Sequence, residues 1–123
     1  MKYLLAALLL VPLPAFAQGE DKGDCPDASS TSEIVVCLNE LYSTAQLEMQ
    51  VRLDGLVAGM ASSNRVAALN AAQAVWKAFR QLECESQALI AEGGTLANVL
   101  GASCYLHMTR DRIVALNAYD QTN

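Results

Sequence analysis

The sequence predicts an all-α fold: a small antiparallel bundle of about three long helices, stapled by two disulfides. Three observations carry this expectation. Beyond Pro26 the chain contains no proline. In that stretch apolar residues recur at steps of three and four, which gathers them on one face of a helix. Strand-like runs are missing, whereas alanine, the strongest helix former, supplies 16 residues from Gln18 onward.

The chain begins with a different kind of segment. Lys2 provides a short positive region, Leu4 to Val11 is uncharged and apolar, Pro12 and Pro14 break the run, and Ala15-Phe16-Ala17 has the A-x-A pattern. Residues 1–17 therefore read as a secretory signal peptide, cleaved between Ala17 and Gln18, with a periplasmic or secreted product. The apolar run is about a dozen residues, short of the roughly 20 that span a bilayer, so no membrane span is expected after signal removal. Of the 123 residues, 53% are apolar. Without the signal the figure falls to 48% of 106, ordinary for one small soluble domain. Losing Lys2 moves the net charge from −5 to −6. Nucleic acid is excluded as a partner on that balance, because phosphate binding needs a basic patch. A basic protein would be attracted at long range.

Residues 18–30 are polar, rich in Gly, Asp and Ser, and read as a flexible lead-in tied down at Cys25. The helical domain is expected over 31–119. Its first helix starts near Ser30 to Ser32, where Ser30-x-x-Glu33 has capping-box spacing. Ile34, Leu38, Leu41, Ala45, Met49, Leu53, Leu56 and Met60 then form one stripe. Gly55 and Gly59 weaken its end, and Ser62-Ser63-Asn64 breaks it and offers a cap for the next helix. The second helix runs from about Arg65 to Ala91, with a stripe of Leu69, Gln73, Trp76, Arg80 and Cys84. Gly93-Gly94 ends it, and Thr95 can cap the third helix, Leu96 to about Tyr119. That helix carries Leu100, Cys104 and Met108 on one stripe and Tyr105, Thr109, Arg112 and Leu116 on the next. Residues 120–123 are expected to fray.

The four cysteines, Cys25, Cys37, Cys84 and Cys104, form an even set in a short exported chain, which reads as a disulfide framework with three possible pairings. Local pairing, Cys25 with Cys37 and Cys84 with Cys104, is favoured. Gly93-Gly94 lies midway between Cys84 and Cys104, so a helical hairpin turning there puts both at one height on antiparallel neighbours. A zinc site fits poorly, since no C-x-x-C occurs and His107 is the single histidine.

The same residues hold no catalytic set. There is no phosphate loop, dinucleotide glycine pattern, haem attachment motif or H-E-x-x-H, and no cofactor is expected. Glu83 and Glu85 point to different helix faces, as residues two apart do. An enzyme would have to use Glu83, Arg80 and His107, and nothing in their spacing suggests a reaction. Gly55-x-x-x-Gly59 matches a membrane dimer pattern but lies in a charged helix, where helix-end flexibility is the better reading. The Gln73, Trp76, Arg80 stripe mixes chemistries. It could be a recognition surface with a Trp–Arg anchor. The favoured reading is an internal polar network, with Trp76 filling the centre of the bundle and Arg80 paired with a carboxylate or helix-end carbonyls.

The segment Leu69-x-x-Ala72-Gln73-x-x-Trp76-x-x-Phe79-Arg80-x-x-Glu83-Cys84, followed by Gly93-Gly94-Thr95, Cys104, Thr109, Arg112 and Leu116, resembles the signature of the LprI-like lysozyme-inhibitor family. Cys25, Cys37 and Tyr42 fit its first half, so the likeness spans about residues 25–116. The resemblance implies structural roles for Tyr42, Gln73, Trp76, Phe79, Arg80, Glu83, Gly93, Gly94, Thr109 and Arg112. There are departures: the usual Leu-Asn-x-x-Tyr falls on Met49-Gln50-x-x-Leu53, and Gln46 and Gln81 stand where aspartates are common. What the resemblance implies for function is an exported, non-enzymatic protein that occludes the cleft of a lysozyme, itself a pair of carboxylates in a saccharide groove. The alternative is an envelope binding or immunity module that recognises another exported protein. The inhibitory contacts are not indicated.

Overall fold

The computed structural model describes residues 23–122. The signal segment, its cleavage site and residues 18–22 lie outside the described residues. Three helices dominate: α1 (Thr31–Gly59), α2 (Ser63–Ala88) and α3 (Leu96–Asn117). The all-α expectation is met, and among the described residues there is no strand. No helix there is long and apolar enough to cross a membrane.

Ser30 caps α1, its hydroxyl accepting from Glu33 N at 3.2 Å. The reciprocal half of the expected box is shifted by one residue. The Glu33 carboxylate accepts from Ser29 N and Ser29 Oγ, at 2.7 and 2.6 Å. Ser62 caps α2 through Arg65 N. The far end of α2 tightens into a 3-10 turn, Leu89–Ala91. Gly93 follows at φ +77°, a left-handed conformation that favours glycine, and this reverses the chain. Thr95 is not the side-chain cap expected of it. It is already helical and makes no side-chain cap bond, and Gly94 and Thr95 carbonyls receive Ala97 N and Asn98 N instead. The tail expected to fray from Asp120 forms a 3-10 turn over Ala118–Thr122, with Asp120 paired to Arg52.

The two disulfides join Cys25 to Cys37 and Cys84 to Cys104, the favoured local pairing. Cys84–Cys104 sits where α2 and α3 run antiparallel on either side of the glycine turn. The Met108 thioether lies 3.7 Å from both of its sulfurs. Cys25–Cys37 ties the lead-in to α1. This end of the lead-in is not loose: Cys25 and Ala28 are buried in the core.

α3 is the spine. It packs along both α1 and α2, whereas α1 and α2 are held further apart. The expected α1 stripe faces α3, with Leu38, Ala45, Met49, Leu53 and Leu56 buried. Two apolar clusters result. One gathers Cys25, Ala28, Leu38, Ala45, Ala102 and Leu106 at the start of α1. The other gathers Met49, Leu53, Leu56, Leu69 and Leu116 at its end, and Ile113 touches both. Leu106 and Leu116 are wholly buried, and each stabilises the fold by roughly 1.5–3 kcal/mol through burial. Leu106 and Ala102 lie off both stripes expected for α3. A helix sandwiched between two others buries more than one stripe.

Candidate functional site

The wider gap between α1 and α2 is filled by long side chains from the mixed stripe of α2. Gln73 and Arg80 are both buried. Arg80 lies at the junction of the two apolar clusters, and three aromatic rings surround its guanidinium. The centroids of Trp76, Tyr42 and Tyr105 stand 4.8, 5.4 and 5.5 Å from Cζ. Its Nη1 donates to Gln46 Oε1 at 3.1 Å and to Thr109 Oγ1 at 2.8 Å. Tyr42 OH donates to the same Gln46 oxygen at 2.6 Å, and Thr109 passes its own proton to the Tyr105 carbonyl at 2.7 Å. A second layer repeats the arrangement. Arg112 Nε donates to Gln73 Oε1 at 2.9 Å and stands 5.6 Å from the Trp76 centroid, while Gln73 Nε2 approaches the Met49 thioether at 3.5 Å.

Two expectations need correction. Arg80 pairs with neither a carboxylate nor a helix-end carbonyl; its polar partners are an amide and a hydroxyl. Gln46 offers an amide oxygen and no charge, so aromatic faces do the work of a counter-ion. Guanidinium suits this because it is planar and more weakly hydrated than ammonium. Trp76 does not fill the bundle's centre. Its ring is half-buried, between Arg80 and Arg112 at the edge of the second cluster.

The other motif residues take varied positions. Thr109 is fully buried, and Phe79 is exposed on the far side of α2. Glu83 accepts from Gln87 at 2.9 Å and Glu85 from Gln81 at 3.0 Å, so the two carboxylates work apart. His107 bonds Asp24, and Arg80, Glu83 and His107 each engage a different partner. Gly55 and Gly59 lie within α1, and a side chain at either would meet open space. Among the described residues no group of three or more His, Cys, Asp or Glu side chains is placed to hold a metal ion.

One feature had no signal in the sequence. Asp24 reaches across to α3, accepting from Arg110 Nη1 at 2.6 Å and lying 2.9 Å from His107 Nε2. The Arg110 hydrogen bond, then that of His107, holds the Asp24 carboxyl below its ordinary 3.8. A carboxyl whose folded value is depressed stabilises the fold above its unfolded value and loses that contribution as pH falls through the folded one. The clasp should therefore hold at neutral pH and release only below about pH 4. Asp24→Asn should leave the lead-in equally loose at all pH values. Amide exchange of residues 24–29, followed from pH 6 down to 3, checks both outcomes.

The caged arginine, the two disulfides and the glycine turn all lie between residues 24 and 116. The family described as Lysozyme inhibitor LprI matches residues 24–116. The chain belongs to the LprI lysozyme inhibitor family. The match covers the clasp at Asp24, both disulfides and all three helices, and stops at Leu116, the last buried leucine of α3. An uncharacterized protein of Rhizobium meliloti (strain 1021) is 28% identical over 124 residues, covering 91% of this chain and 88% of the relative. No solved structure matches the chain. Within the matched span Gln73, Arg80 and Thr109 are buried, and Arg80 bonds Thr109 while Arg112 bonds Gln73 between α2 and α3.

Proposed function

We propose that this protein is exported, loses residues 1–17, and inhibits a lysozyme by protein–protein contact that occludes the saccharide cleft. Membership of the LprI family is the observation that carries the reading. The disulfides agree with an oxidising compartment, periplasmic or secreted. The buried polar residues have structural work to do: Arg80 and Gln73 are spent on holding the bundle and are closed to a substrate. Occlusion asks for a rigid shape and a complementary charge, and a mature chain of net charge −6 would be steered toward a basic lysozyme.

The mature chain, residues 18–123, can be titrated against c-type and other lysozymes in a cell-wall clearing assay. Inhibition at micromolar protein and low salt, weakening as salt is raised, is the expected result. No inhibition of any lysozyme at low salt rejects the reading. Capture of a different exported protein from envelope extract would then favour a binding or immunity module.

A further inference from the structure

We infer that the solvent face of α1 is the surface that seats in the cleft of a basic lysozyme. This rests on the functional reading above and names its contact site. α1 presents its opposite face to α3 and is held away from α2, so among the described residues no other helix packs along its outer ridge. Val36, Leu47 and Val51 stand on that ridge at 58%, 71% and 73% exposure, too exposed to contribute to the core. Glu40, Glu48 and Asp54 lie among them, all exposed. The helix has one basic residue, Arg52, and it is turned away to pair with Asp120. The ridge is therefore apolar and anionic with no cation of its own.

A second outward face, on α2, also exposes apolar residues: Val75, Phe79 and Leu82. Its helix carries both signs, Arg65, Lys77 and Arg80 as well as Glu83 and Glu85, and does not select a partner by charge. The α1 ridge does. From Val36 to Asp54 it is about 27 Å long at 1.5 Å per residue. That is the shape of a helix laid into a groove, with anchors at helical spacing. The aliphatic side chains would occupy the groove, and the carboxylates would meet basic groups on its rim.

The test uses the mature chain and c-type lysozyme, measuring affinity and inhibition at low and high salt, with circular dichroism melts to confirm folding. Glu40→Lys/Glu48→Lys/Asp54→Lys should weaken binding on the order of 100-fold at low salt, and the gap to wild type should narrow as salt is raised. Leu47→Gln/Val51→Gln should weaken it about tenfold with the salt dependence unchanged. Val75→Gln/Phe79→Gln/Leu82→Gln should bind as wild type does. If the α2 variant loses binding while both α1 variants retain it, the α1 assignment is overturned and the functional reading stands. If the wild-type chain itself binds no lysozyme at low salt, both fall together.

Discussion

Arg80→Ala should lower the stability of the domain by about 3 kcal/mol, seen as a fall in Tm of roughly 10–20 °C. The truncation removes a long buried side chain from the junction of the two apolar clusters and leaves a space between α1 and α2 that rigid helices close only in part. It also removes three stacked rings' worth of cation–π contact and two charge-assisted hydrogen bonds. Against this stands the cost of burying a guanidinium whose Nε has no hydrogen-bond partner. The two sides can be separated. Arg80→Met keeps most of the volume and drops the charge, so it should cost clearly less than Arg80→Ala. Gln46→Glu places a carboxylate where the amide oxygen now sits, 3.1 Å from Nη1, and should stabilise the protein by about 1 kcal/mol at neutral pH. Urea unfolding of the three variants decides it. Equal losses for Ala and Met would show that charge rather than volume governs the junction, and no gain for Glu would show that the aromatic rings already compensate the Arg80 charge.

Removing the Cys84–Cys104 bridge as the double alanine variant should cost about 3 kcal/mol, from releasing a loop whose ends are 20 residues apart. Both cysteines are buried, and the bridge fixes the height at which α2 meets α3. Its loss should therefore lower the whole unfolding transition and loosen the arginine cage, whose members Arg80 and Thr109 flank the bridge in sequence. Removing Cys25–Cys37, whose cysteines are 12 residues apart, should act differently. It should free the lead-in and the Asp24 clasp, so that exchange rises at residues 24–29 while α3 stays protected. Thermal melts and amide exchange on the two double variants distinguish a global effect from a local one. Matching exchange profiles would show that the two bridges are equivalent.

Much of the architecture was legible in the chain. Helix identity followed from the 3–4 spacing of Leu38, Ala45, Met49, Leu53 and Leu56, because a buried face must repeat with the helical turn. The reversal at Gly93 and the local cysteine pairing were legible for a related reason: both depend on residues near each other along the chain. The mixed stripe of Gln73, Trp76 and Arg80 announced itself as a network but did not disclose its partners.

What the sequence alone determined about this protein is its class: three helices, two local bridges and membership of a family through residues 24–116. Periodicity and short-range spacing report local geometry, and helices are local. The tertiary structure decided that Arg80 is neutralised by three rings and a glutamine, that Trp76 stands at the edge of the core, and that Asp24 clasps His107 and Arg110 from more than eighty residues away. Val36, Leu47 and Val51 fall off the α1 stripe read from the sequence, and the packing of that stripe on α3 leaves them on the surface. Contacts across the bundle depend on how far apart the helices settle, and that distance is set jointly by side chains from all three.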